Sequence, residues 1–139
     1  MRVTPPDLEL WLTGYVRELA ASEGIDVDVD NKEPPTLSLP LPKPLVVIRD
    51  DSGARLDHTI FDRSVGVTVL GATPLFAKPV TDVARWLSAV LNDVAIVLHP
   101  GSPIASIGWD GSNGPYLVPE VLDVARSYQT VQYVVTGSW

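Results

Sequence analysis

A chain of 139 residues, 45% hydrophobic and 19% charged, has the composition and size of one globular domain, which excludes a disordered or low-complexity polymer. Seventeen acidic against ten basic side chains give a net charge of −7, which argues against a general nucleic-acid binder because phosphate contacts need clustered Lys and Arg. With no cysteine, disulfide frameworks, thiol nucleophiles and cysteine metal sites are excluded together.

The opening Met-Arg-Val-Thr-Pro-Pro-Asp has no apolar h-region, and no later run approaches the roughly 20 apolar residues of a membrane span, so a soluble chain with no membrane partner is expected. Thr4-Pro5-Pro6-Asp7 reads as a helix start, with a hydroxyl cap, proline at the first turn and an early acid. The helix should run to about Ser22 and stop at Gly24. At 100° per residue Leu8, Trp11, Leu12, Tyr15, Val16 and Leu19 form a core stripe. Leu10, Gly14 and Ala21 lie nearly opposite, where small neighbours would let a second surface approach Leu10 closely.

Asp26-Val27-Asp28-Val29-Asp30 begins like a calcium loop but fails it, because Asn31 stands where Gly is needed and Leu37 where the bidentate Glu is needed. A short strand with Val27 and Val29 turned inward explains the alternation. Pro34, Pro35, Pro40, Pro42 and Pro44 then stiffen an extended segment bearing Leu37, Leu39 and Leu41. Those leucines suggest a segment laid along its own domain or along a neighbouring subunit; recognition by a proline-binding module is the other reading.

Leu45 to Ile48 is an apolar run that predicts a buried strand ending at Arg49, followed by the turn Asp50-Asp51-Ser52-Gly53. His58 to Phe61 and Val65 to Gly71 predict two more strands, giving a three-stranded antiparallel meander. Pro79 to Asn92 is the second helix, with Val80, Val83, Ala84, Leu87, Val90 and Leu91 on one stripe. Trp86 sits at the stripe's edge, either covering the rim of the core or anchoring another chain. Ala95 to Leu98, Ile104 to Trp109 and Tyr116 to Val118 are strand candidates, and Asn113-Gly114 is the best turn signal between them. Arg126 to Gly137 is the most strand-like run of all: Val131, Tyr133 and Val135 fall on an apolar face, and Thr130, Gln132, Val134 and Thr136 on a mixed one. The order of elements predicts an α+β fold with two helices on one face of a mainly antiparallel sheet.

Catalytic chemistry finds little footing. His58 and His99 have no metal-ligand spacing, and Asp57 points away from His58 if the segment is extended. Ser102 beside His99 is explained by the turn Pro-Gly-Ser-Pro, and Gly108, Gly111 and Gly114 match neither the dinucleotide nor the phosphate-loop fingerprint. We therefore expect no enzyme, no cofactor and no metal site.

The proline-rich lead into Leu45-Val46-Val47-Ile48, the helix from Asp82 to Leu87, the run Asn113-Gly114-Pro115-Tyr116-Leu117-Val118-Pro119-Glu120 and the closing run from Tyr128 to Val135 together resemble the tail terminator proteins of long-tailed bacteriophages. The resemblance implies an α+β virion subunit, assembled in the host cytoplasm, that forms a hexameric homo-oligomeric ring. Such a ring caps the tail tube protein, ends polymerisation and offers a docking face to a head-to-tail connector protein. Head-to-tail connector and completion proteins have similar size and composition and give the alternative assignment; a small enzyme or ligand-binding domain, with a pocket at His58 or His99, is the further one. For an assembly subunit the candidate interface residues are Leu10, Leu37, Leu39, Leu41, Trp86 and Trp109. In a ring, Asp50, Asp51 and Asp62 are candidates for an acidic channel wall that repels passing DNA phosphates.

Overall fold

A computed structural model describes all residues from Met1 to Trp139. In chain order it contains helix α1 (Leu8–Glu23), strands β1 (Asp28–Asp30), β2 (Leu45–Asp50) and β3 (Ile60–Gly71), helices α2 (Lys78–Leu91) and α3 (Ala95–Leu98), strand β4 (Ile104–Ile107), a 3-10 turn (Trp109–Gly111), and strands β5 (Asn113–Val118) and β6 (Ala125–Thr136). One six-stranded sheet runs β1-β2-β3-β6-β4, with β5 also paired to β6. All pairings are antiparallel except β1 with β2. The α+β fold expected from the order of elements is therefore the observed one.

Both long helices lie on the same sheet face. Leu8, Leu12 and Val16 of α1 and Val80, Ala84, Leu87 and Leu91 of α2 join one buried cluster with Val46 and Ile48, with Val65, Val67 and Val69, and with Val131, Tyr133 and Val135. Each strand contributes alternate residues to this cluster, as the two-residue period of a strand requires. Two polar groups on β6 tie α2 down: Gln129 Nε2 donates to the Ala84 carbonyl at 2.9 Å and the Tyr133 hydroxyl to the Leu91 carbonyl at 2.6 Å. No buried side-chain nitrogen or oxygen lacks a partner.

Helix α1 starts later than expected. Asp7, not Thr4, is its cap, accepting the Leu10 amide at 3.1 Å; Thr4 instead pairs with Ser138. The carboxylate fits the amide-rich first turn as well as a hydroxyl would, and two prolines between Thr4 and Asp7 keep the chain extended. Gly24 closes the helix in the left-handed conformation, φ 71°, as expected.

Three strand expectations are corrected. The two segments His58–Phe61 and Val65–Gly71 are one twelve-residue strand, β3, because Phe61, Arg63, Val65, Val67 and Val69 keep the same alternation through the polar middle; the meander is a two-stranded hairpin. Ala95–Leu98 is the one-turn helix α3, with only Ile96 buried; four apolar residues are too few to separate period two from period 3.6. The strand from Ile104 ends at Ile107, not Trp109, and Asn113-Gly114 enters β5 and makes no hairpin turn. In effect β4 and β5 are one edge strand against β6, interrupted by the 3-10 turn that passes over Gln132, where the Gly108 amide donates to the Gln132 carbonyl at 2.8 Å.

The proline-rich segment is the crossover between the parallel pair β1 and β2. It lies on the sheet face away from the helices, where Leu37, Leu39 and Leu41 pack half-buried on Leu45, Val47, Leu70 and Val124. A parallel pair needs such a crossover, and a chain this rich in proline makes it as a strap and not as a helix.

Candidate functional site

The candidate interface residues are dispersed. Leu37, Leu39 and Leu41 belong to the strap and cover their own sheet. Trp86 packs against the core and its indole N–H donates to Glu23 Oε1 at 3.2 Å, which joins α2 to the end of α1 and favours its reading as core rim. Trp109, 56% exposed, projects from the 3-10 turn on the β4/β5 edge. Leu10, 71% exposed, stands on the outer side of α1.

The three candidate channel acids do not share one surface. Asp50 is the last residue of β2 and pairs across from Val65 on the helix face. Its carboxylate lies 3.5 Å from Arg63 Nε, between side chains only 22% and 12% exposed, and it also accepts the Ser52 amide. Asp51 and Asp62 turn to the other face. Arg49 Nε donates to Asp51 at 2.7 Å, a bond that raises the guanidinium's pKa, and Gln132 Nε2 donates to Asp62 at 2.6 Å. Gly66 opens room for this polar cluster: a Cβ there would stand 2.8 Å from both the Asp51 carboxylate and the Tyr128 hydroxyl. Asp62 lies inside β3, not at a turn.

The exposed face of the sheet thus divides. Near the β2 and β3 ends that carry Asp51 and Asp62 it is polar and not covered by the strap, with Ser64, Thr130 and Gln132 side by side and the 3-10 turn over Gln132. Toward the opposite end the strap covers it, and Arg126 locks that cover: its guanidinium donates to Glu33 Oε1 at 2.7 Å and to Glu120 Oε2 at 2.9 Å.

Residues that the sequence did not single out lie beyond the strap. Gly71 and Ala125 are paired neighbours on β3 and β6, so the loop after Gly71 and the loop before Ala125 leave the same end of the sheet. Their tips carry Leu75 and Phe76 on one loop and Val121 and Leu122 on the other, and Leu75 and Val121 are fully exposed at 101% each. Side-chain identity is the available signal, since apolar pairs such as Leu75-Phe76 and Val121-Leu122 are unusual in solvated turns; what the sequence does not show is that the two loops leave the same end of the sheet.

His58 is exposed on the β2–β3 loop, where its carbonyl accepts from Arg55. The Ser102 hydroxyl accepts the Ile104 amide and the Ser102 amide donates to the His99 carbonyl, so this pair serves the turn leading into β4. No group of three His, Cys, Asp or Glu side chains is placed to hold a metal ion, and no helix is long and apolar enough to cross a membrane. No protein-family model matches the sequence, and no curated protein matches it.

Proposed function

We propose that the chain is a structural ring subunit that ends a phage tail tube, in keeping with its resemblance to tail terminators. The observation that carries this reading is the exposure of Leu75, Phe76, Val121 and Leu122 on the two loops that leave the same end of the sheet. A monomer gains nothing from four such side chains in water, whereas a neighbouring subunit covering them removes that apolar area from solvent. The edge formed by β4 and β5 adds exposed Trp109, Tyr116 and Leu117 to the surface available for lateral contacts. Asp51 and Asp62, on the polar half of the sheet outside the strap, are the acids that remain candidates for a channel wall.

The test is assembly of the purified protein followed by tube capping. The parent should run as a ring by light scattering and negative stain, and the double variant Leu75→Ser, Val121→Ser should be monomeric with unchanged folding. Rings added to polymerising tube protein should cap tube ends and fix their length. A parent that stays monomeric at high concentration defeats the reading; rings that bind empty heads but not tubes favour the connector assignment.

A further inference from the structure

A groove runs along the outer side of α1, between that helix and the segment from His99 to Pro103. Its central part, about 310 Å³, is lined by Leu10, Trp11, Gly14, Tyr15, Glu18 and His99, and it continues on either side toward Ser22 and toward Gly101. The Trp11 and Tyr15 rings stack at 5.0 Å, and His99 stands edge-on to both, at 6.0 and 5.1 Å. Leu10 borders the aromatic group, 71% exposed. The groove is therefore floored by aromatic rings and edged by an exposed leucine, and α1 turns it away from the sheet.

The charge of this surface has one sign. Glu18 and Asp7 line the groove, no Lys or Arg does, and neither acid makes an ion pair, nor do Glu23 and Asp93, which lie close enough to act on Tyr15. Unpaired acids also occur elsewhere, at Glu9, Asp30, Asp57, Asp62, Asp110 and Asp123; what marks the groove is a carboxylate beside exposed apolar and aromatic side chains with no cation in its lining. Burial first, then Asp93 and Glu23, raises the pKa of Tyr15.

We propose that this groove docks a basic, apolar segment of a partner protein, a stretch in which Lys or Arg alternates with aliphatic residues. Its aliphatic side chains lie against Leu10 and Trp11, and a cation reaches Glu18 across the aromatic floor, gaining both a carboxylate and a ring face. A second copy of this chain is a poor occupant, because a protein of net charge −7 brings more acid to an acidic rim. The proposal does not depend on ring assembly, since the groove and the apolar end of the sheet share no residue.

The probe is a synthetic peptide alternating Leu and Lys, titrated by calorimetry into the full chain at physiological salt, with a Leu and Glu peptide beside it. Three variants at exposed positions follow: Glu18→Lys and Leu10→Asp in the groove, and Asp57→Lys on the remote β2–β3 loop, which makes the same change in net charge as Glu18→Lys. The basic peptide should bind the parent and Asp57→Lys alike and lose about tenfold in affinity for each groove variant, while the acidic peptide fails to bind. Equal weakening by Glu18→Lys and Asp57→Lys would mean net charge alone and overturn the site, as would absence of binding to the parent. Should Leu10→Asp change the oligomeric mass and leave peptide affinity intact, the occupant is a second copy and the proposal is wrong. Thermal unfolding of each variant separates loss of binding from loss of fold.

Discussion

Strand β6 sends alternate residues into two unlike environments. On one side Val131, Tyr133 and Val135 are fully buried beneath two helices; on the other Thr130 and Gln132 stay half-exposed beside Ser64 and Asp62. The helix face is held by close packing and by two buried hydrogen bonds, so it fixes which fold forms. The opposite face is held at one end by a strap with an ion-pair lock and at the other by polar contacts and the 3-10 turn over Gln132. One strand thus meets close packing on one side and polar contacts on the other, and substitutions should sort by the direction in which a side chain points.

The largest effect is expected on the helix face. Leu87→Ala removes a fully buried side chain between α2 and the sheet and should cost about 2–5 kcal/mol in chemical unfolding, with the spread set by how far the cavity collapses. An effect below that of a surface change would mean that α2 is not docked as described.

A smaller effect at the same face sharpens the comparison. Tyr133→Phe keeps the ring but strips the Leu91 carbonyl of its partner, for about 1–2 kcal/mol. Burial, and secondarily Tyr15, raises the Tyr133 pKa well above its ordinary value of 10.0. The unfolded chain therefore loses this proton first, and the stability contributed by the neutral phenol is complete below pH 10 and falls as pH rises beyond it. Melting temperature measured against pH should drop more steeply above pH 10 in the parent than in Tyr133→Phe; parallel curves would show that the hydroxyl is not buried.

The smallest effect belongs to the strap. Arg126→Ala breaks both ion pairs at partly exposed positions and should cost about 1 kcal/mol at low salt and less at high salt. Its clearer signature is local: amide exchange should speed up through residues 33–41 while α2 stays protected.

Legibility in the sequence followed the same division. The alternation in β6 and the stripes of α1 and α2 named the helix-face core, because a long amphipathic element repeats its pattern enough times to reveal its period. In Ala95–Leu98 four apolar residues carry no period that tells strand from helix, and in β3 the polar stretch Asp62-Arg63-Ser64 breaks the apolar pattern, although Arg63 faces Asp50 in the fold. Leu10 was legible as an exposed leucine on the back of α1. Its neighbour His99 was not, since nothing local tells a helix which loop will lie beside it. The strap lock joins Glu33 to Arg126 across most of the chain, and the two apolar loops come to the same end of the sheet only through the pairing of β3 with β6. Contacts at that separation come from topology, which a local pattern does not encode.

The position of β6 also governs when the protein can exist at all. It is the last strand in the chain, yet it sits in the sheet's interior, with β3 along one side and β4 and β5 along the other. As the chain leaves the ribosome, the β2–β3 hairpin emerges with its valines facing an absent neighbour and must wait while everything from Ala72 to Val124 is made, on the order of seconds at cellular synthesis rates. A nascent chain that has not yet reached β6 therefore cannot close its sheet.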